Sequence, residues 1–409
     1  MHEISGYSFP NDVHILWSLM IVMYPFMTGL VAGSFVVASL YHVFNRHELR
    51  PVARLAIAAS LAFVLFAPLT LGNHLGKPFR GLNIMMTPNF SSAMAAFGYV
   101  FSGYAILVLL EVWLIYRKHI VLCARRSRGL KRFVYACLAL GVYDISDEAR
   151  HIDHRVIVIL TGIGIPCACL LHGYVGFIFG AVKANPWWAS PIMPIAFLFS
   201  AMVSGTAMLV ILYQTAMKFR GERISGPCVQ ALARWLWLFM IIAVSLEMLD
   251  ILALAYENSE KWHVIGPLLG GRLAFSFIGI QLVLGALVPF ILLGVVVLMS
   301  AYLSDPIRNT LSFIASLLLV MQVFAMRWNV VIGGQMISKS FRGYRLSYMP
   351  DFFEKEGILA AICIFIGPLV FLALFNRFFP LFDAIEEPEP LPKIEGAAQG
   401  EGARTSVPA

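Results

Sequence analysis

The sequence predicts an all-α integral membrane protein with about nine, at most ten, transmembrane helices. Three observations carry this. The 409-residue chain is 59% hydrophobic and only 13% charged, where a soluble domain carries roughly 25% charged residues. Its mean hydropathy is +0.80. Apolar runs of about 20 residues, the length that crosses the hydrocarbon layer, recur along almost the whole chain and leave no room for a soluble catalytic domain. The net charge of +7 then belongs to loops and membrane lipids, and nucleic-acid binding is not implied.

Residues 1–14 are polar and lack a basic stretch ahead of a cleavage site, so insertion is expected to depend on the first helix. The first span, 15–44, contains Gly29-x-x-x-Gly33, a spacing that lets helices approach closely. Spans 52–73 and 93–117 follow, the latter carrying Glu111. The apolar run 133–142 is too short to cross and follows Arg125, Arg126, Arg128, Lys131 and Arg132, which reads as an interfacial helix. Span 155–181 holds His172 and Gly176-x-x-x-Gly180, and span 190–218 holds Ser204, Thr206 and Gln214. Span 233–256 carries Glu247 and Asp250, span 270–302 opens with Arg272, and spans 309–329 and 357–379 complete the nine. Prolines 25, 68, 166, 194, 289 and 368 lie in or near spans and predict kinks, whose freed carbonyls neighbouring helices can satisfy.

Orientation follows from the basic residues. The odd-numbered loops hold 15 Lys and Arg, and the N-terminus with the even-numbered loops holds 8. Odd loops are therefore expected on the cytoplasmic side of a bacterial inner membrane, with the N-terminus periplasmic and the C-terminus cytoplasmic.

His172 is the residue around which the chemistry is read. An ionisable group inside a span is expensive unless partnered, which makes it a functional candidate; the structural alternative is a histidine that bonds a neighbouring helix carbonyl. Span two ends at Asn73-His74-Leu75-Gly76-Lys77-Pro78-Phe79-Arg80, an amide, an imidazole and two cations at the outer mouth. A pocket of Asn73, His74, Lys77 and His172 would suit the head of a quinone, whose carbonyls accept hydrogen bonds and whose two-electron reduction takes up two protons, with histidine as donor. Ser204, Thr206, Glu111 and Gln214 are then steps of a proton path from the cytoplasm, and Glu247, Asp250 and Arg272 in the outer half are further candidates for it. The structural alternative has the hydroxyls bonding backbone carbonyls, and Glu247 or Asp250 forming an ion pair with Arg272. A bis-histidine haem needs two facing histidines at one depth, and only His74 and His172 come close. The six cysteines form no C-x-x-C or metal-ligand series, so neither haem nor an iron–sulfur cluster is expected in this protein. The stretch 326–335 reads as a basic loop at the outer face, touching lipid phosphates or a partner.

Four stretches carry a resemblance: Gly29–Gly33; Leu75-Gly76-Lys77-Pro78-Phe79-Arg80 with Pro88-Asn89-Phe90-Ser91-Ser92; His172-Gly173-Tyr174-Val175-Gly176-Phe177-Ile178-Phe179-Gly180 with Pro186-Trp187-Trp188 and Ser204-Gly205; and Arg327-Trp328-Asn329-Val330-Val331-Ile332-Gly333-Gly334-Gln335. They cover roughly residues 15–380, and the protein resembles the NrfD family of membrane subunits, typified by that of polysulfide reductase. Its longer branch includes the membrane subunit of the periplasmic quinone reductase complex (QrcD-like). One departure stands out: the family's Asp-Leu-Gly-Arg-Pro reads His74-Leu75-Gly76-Lys77-Pro78 here.

The resemblance implies a core of two four-helix bundles and a quinone site near the outer face. Electrons would pass between menaquinone or a similar quinone and a periplasmic ferredoxin-like iron–sulfur subunit, with a molybdopterin-type or multihaem cytochrome c partner beyond. The protein would be an oxidoreductase subunit that is not catalytic alone. His172 and His74 are the catalytic candidates, with Asn73, Lys77, Arg80 and Tyr174 beside them at the quinone. The expected division is 1–14 as a periplasmic segment, 15–218 as a first bundle with helix one at its periphery on the quinone side, 219–380 as a second bundle, and 381–409 as a disordered tail. A secondary transporter or ion channel is the alternative, its polar residues lining a path; no clear inverted repeat supports it.

Overall fold

The computed structural model describes residues 14–382 apart from Pro88, Phe90, Lys339, Ser340 and Arg342. The expected N-terminal segment up to residue 13 and the tail from 383 lie outside the described residues. Among those described, nine helices are long and apolar enough to cross a membrane.

The first helix, α1, Leu19–His42, starts at Ser18, whose hydroxyl accepts from the Met20 amide. Asn45 at φ 52° turns the chain, and α2, Arg50–His74, begins with Pro51, a residue suited to a helix's first turn. Ser92 caps α3, Ala93–Arg126, and after Ser127 and Arg128 the ten-residue α4, Gly129–Leu138, folds back along its end. Helix α4 covers most of the expected interfacial run and is too short to cross. Ser146 caps α5, Asp147–Gly180, with Asp147 and Glu148 in the first turn, where the helix dipole favours acids. Helix α6, Met193–Arg220, ends on Gly221 in the left-handed conformation, φ 68°. Then come α7, Gly226–Glu257, and the short α8, Glu260–Pro267.

The seventh span, α9 (Phe275–Leu298), differs from an ordinary helix: Phe275–Leu287 is wound as a π-helix before the α-helical Val288–Leu298. Helix α10, Asp305–Trp328, runs into a π-turn at Asn329–Gly333 and a last turn at Gly334–Met336. The stretch 326–335 is therefore helical and buried, a correction to its reading as a surface loop. Helix α11, Ile358–Phe378, is the ninth span.

Helix α1 is not peripheral. Every residue of it except Ile21 is buried, and it touches α2, α5, α6, α10 and α11. It carries no charged residue before His42, so all of its faces can be enclosed in apolar packing. The closest approach is to α6. A Cβ at Gly33 would strike the Ala201 carbonyl, and one at Gly205 would strike the Gly33 backbone. Only glycine at both positions permits this crossing.

The loops and ends at the face where α1 begins are tied together. Trp17 stacks on Trp188 at 5.2 Å, and its amide donates to Gln335 Oε1 at 3.0 Å. The Trp188 indole donates to the Val330 carbonyl at 2.6 Å, and that of Trp187 to the Asn329 carbonyl at 3.2 Å. These bonds satisfy π-turn carbonyls, the condition for irregular backbone at membrane depth. A side chain at Gly334 would collide with the Trp188 ring.

Candidate functional site: a buried histidine–arginine pair

His172 lies on α5, eight residues before Gly180, about 12 Å along the helix from its end. It is fully buried. Its partner is Arg327, also fully buried, in the last turn of α10. Arg327 Nη2 lies 2.9 Å from His172 Nε2, donates to Ser200 Oγ at 2.6 Å and reaches the Phe197 carbonyl at 3.3 Å. Nη1 faces Met326 Sδ at 3.1 Å, and the guanidinium sits 3.8 Å from the centroid of the Phe197 ring. That ring also stacks on His172, centroids 5.9 Å apart.

Chemistry assigns the protons. A guanidinium only donates, so Nε2 accepts and the neutral ring carries its hydrogen on Nδ1. Nδ1 is buried and has no hydrogen-bond partner. The result is an oriented N–H donor with its other nitrogen fixed. On the far side, a Cβ at Gly29 would come within 3.3 Å of His172 Cε1, so glycine there lets the ring pack against α1.

A second series of polar side chains flanks the arginine. Ser276 donates to Asn329 Oδ1 at 2.6 Å, Asn329 Nδ2 donates to Gln281 Oε1 at 2.6 Å, and Gln281 donates to the Glu247 carboxylate. Glu247 is close enough to Arg327 for their charges to interact. Asp250 accepts from Ser190 at 2.7 Å, while Arg272 donates to the Arg345 carbonyl at 2.6 Å and lies over Tyr344. Glu247 and Asp250 thus bond amide and hydroxyl groups, and Arg272 turns to a loop instead of pairing with either.

His74, the last residue of α2, has different neighbours from His172. Its Nδ1 donates to Glu356 Oε2 at 2.7 Å, Ser18 donates to the same oxygen, and the two paired side chains are about a quarter exposed, 25% and 26%. Burial works to raise the Glu356 carboxyl, but the hydrogen bonds from Ser18 and His74 outweigh it and hold it below the ordinary carboxylate range. Asn73 Nδ2 donates to the Lys355 carbonyl at 2.6 Å. Lys77 and Arg80 are exposed, and Tyr174 donates to the Ala93 carbonyl at 2.9 Å.

The remaining polar residues are buried, and of them Ser204 stands beside the pair: a Cβ at Gly29 would lie 3.5 Å from both its Oγ and His172 Nε2. Glu111 Oε1 accepts from Thr161 at 2.6 Å, and its Oε2 has no partner. Ser204 donates to the Ala201 carbonyl at 3.1 Å, whereas Thr206 Oγ1 and Gln214 Nε2 have no partner. Residues two apart on a helix do not share a face, so Ser204 and Thr206 point away from each other on α6.

Sequence reasoning gave Arg327 and Asn329 to a basic loop at the outer face, and it missed Ser200, Gln281 and Glu356 altogether. For Arg327 a signal existed: Leu319, Val323 and Arg327 recur at four-residue spacing, one buried stripe of α10. Glu356 is 282 residues from His74, and no local pattern joins them.

Residues 9–339 match the family model described as polysulphide reductase, NrfD. The chain belongs to the NrfD family. Among the relatives of this NrfD protein, a selenate reductase subunit of Mesobacillus selenatarsenatis is 26% identical, over 91% of this sequence and 87% of its own length. The Hdr-like menaquinol oxidoreductase integral membrane subunit of Archaeoglobus fulgidus is 24% identical, over 85% and 81%. A polysulfide reductase chain of Wolinella succinogenes is 24% identical, over 78% and 95%.

Proposed function

We propose that this NrfD protein is the quinone-reacting membrane subunit of a multi-subunit respiratory oxidoreductase. It exchanges electrons between menaquinone and an iron–sulfur subunit docked on the face where α1 begins, which faces the periplasm. A molybdopterin-type or multihaem cytochrome c partner completes the complex. Names of the relatives support the class: two belong to reductases and one to a menaquinol oxidoreductase.

The observation that carries the reading is the unpartnered Nδ1 of His172, held as a donor by Arg327. A quinone carbonyl is an acceptor in want of such a donor. Reduction delivers two electrons from the partner's clusters and two protons, giving the quinol; oxidation reverses both. His74, paired with Glu356 nearer the surface, is the second proton-handling group, and this pair takes the place of the acid in the family motif. Asn73, Lys77, Arg80 and Tyr174 frame the entrance. Arg327 holds the His172 tautomer and Ser200 fixes Arg327. Glu111 with Thr161, together with Thr206, Gln214 and Ser204, are stations for protons from the cytoplasmic side. Glu247, Asp250 and Arg272 lie on a second route past Arg327.

The test uses the complex purified by a tag on this subunit. It is reduced by a periplasmic donor, and reduction of a menaquinone analogue is followed in the parent and in His172→Leu. The expected result is a loss of turnover of about 10²–10⁴-fold, the scale of general acid–base catalysis, with the iron–sulfur clusters still reduced. Equal turnover in both proteins, or purification without an iron–sulfur partner, overturns the reading.

A further inference from the structure

Helix α4 is a surface element that neither the bundle nor the site uses. Its depth is fixed by three contacts. The Tyr135 hydroxyl donates to the Phe378 carbonyl at 3.2 Å, and His119 Nε2 meets the same carbonyl at 2.9 Å. The Trp113 indole donates to the Leu138 carbonyl at 2.7 Å. Phe378 is the last residue of α11, whose 21 residues barely cross the hydrocarbon. Tyr135 therefore marks the boundary between acyl chains and headgroups. Gly129 is six residues away, at most about 9 Å further out, close to the roughly 5–8 Å thickness of a headgroup layer. The whole of α4 fits within or beside that layer.

Its surface is unlike that of a solvated helix. Leu130 is 78% exposed, Phe133 67%, and Leu140 just after it 71%. Around them stand Arg126, Arg128, Lys131 and Arg132, all exposed. From Arg117 to Tyr143 the sequence holds seven Lys and Arg and no acid. Arg125 donates to the Tyr143 carbonyl at 2.6 Å, which closes the loop after α4. Asp144 lies near Arg125, and Arg117 pairs with Asp153 at 2.7 Å, which leaves Arg126, Arg128, Lys131 and Arg132 as the exposed cations around the apolar side chains; the patch matches an anionic bilayer surface in both hydrophobicity and charge.

We propose that α4 and the end of α3 form a binding platform for anionic phospholipid headgroups. Arg126, Arg128, Lys131 and Arg132 contact the phosphates, and Leu130, Phe133 and Leu140 insert among the upper acyl carbons. The bound lipid braces the ends of α3 and α11, which meet at the Phe378 carbonyl.

The test takes the full-length protein in its complex into mixed micelles of phosphatidylcholine and phosphatidylglycerol at about 4:1, an anionic surface of the kind basic segments recognise. Retained lipid is quantified by mass spectrometry. The parent is expected to enrich phosphatidylglycerol, and the variant Arg126→Gln/Arg128→Gln/Lys131→Gln/Arg132→Gln to lose that enrichment by about fivefold or more. Arg220→Gln/Arg223→Gln, which alters cations elsewhere on the same side, should leave it unchanged. Should the quadruple variant fail to insert, the parent alone decides: enrichment must fall as salt rises from about 0.1 to 1 M, where screening shortens from about 10 to 3 Å. A parent without preference for phosphatidylglycerol, enrichment that survives in the quadruple variant, or α4 cross-linking to a protein subunit and not to a photoactivatable lipid would each overturn the proposal.

Discussion

Arg327 is a full positive charge enclosed between α5, α6 and α10, with an imidazole, a hydroxyl, a carbonyl and an aromatic face as its direct neighbours. A buried charge of this kind is seldom the most stable solution, because desolvation offsets much of what its contacts return. Two variants separate function from packing. The double variant Arg327→Met/His172→Leu removes both hydrogen-bonding partners at once. Its thermal midpoint is expected within a few degrees of the parent's, since replacing both partners by apolar groups of similar shape is close to neutral, while quinone turnover is lost. A large fall in the midpoint would make the pair a structural brace. His74 and Glu356 give a pH signature. The folded carboxyl lies below its unfolded value, so its stabilisation is complete above the unfolded value of about 4.3. It is lost as pH falls through the folded value. Glu356→Gln lacks this contribution, so the gap in thermal midpoint between parent and variant should be wide at pH 7, begin to shrink below about pH 4.3 and close as pH falls through the folded value. Of these residues the histidines were legible as a site, and Arg327 only as part of the motif Arg327-Trp328-Asn329. An arginine at the end of an apolar run looks like a loop residue, and only the four-residue stripe through Leu319 and Val323 says otherwise.

At the scale of elements, the sequence shows where helices exist better than how they are wound. Nine apolar runs became nine spans because length and hydropathy decide that alone. The π-helical part of α9 was not legible, for its composition is that of any apolar helix; it is set by where Gln281 must meet Glu247 and Asn329. Single π-turns gather at functional sites; the turn Asn329–Gly333 and the longer π-helical Phe275–Leu287 between them supply Asn329, Ser276 and Gln281 of the same polar series. The glycine pair was legible in part: Gly29-x-x-x-Gly33 announced a close helix, while its partner Gly205 lies in the fifth span, with three spans between. Gly205→Val places a side chain against the Gly33 backbone. It should cost at least the roughly 1–3 kcal/mol typical of overpacking, read as a lowered thermal midpoint and poor yield. Gly173→Ala, whose Cβ would have Pro194 O as its nearest neighbour at 3.8 Å, should leave both unchanged.

For the whole molecule, the orientation proposed from loop charge can be tested directly. Ser91 lies exposed on the face where α1 begins and Tyr302 exposed on the opposite one. In a background carrying Cys137→Ala, Ser91→Cys should react with a membrane-impermeant maleimide added to intact periplasm-accessible cells. Tyr302→Cys should react only after the membrane is permeabilised. The reverse labelling would turn the molecule over and put the electron-donating partner on the cytoplasmic side. Charge counts speak to orientation because basic segments resist translocation; they carry no information on how the spans then pack. The central place of helix one is a matter of packing, which no count of loop charges contains.

The enclosure of α1 bears on how the protein is made. This helix leaves the ribosome before the other eight spans described, yet its surroundings are complete only when α10 and α11 have entered the membrane, over 260 residues later. Until then it must wait in lipid. Two of its polar side chains suit that delay: Thr28 bonds the Tyr24 carbonyl at 3.1 Å and Ser39 the Val36 carbonyl at 2.7 Å, so both hydroxyls are satisfied within the helix itself, whereas the Ser34 hydroxyl has no partner. The catalytic candidates follow the opposite schedule. Arg327 arrives late, and His172 gains its partner only as the last helices close around the first.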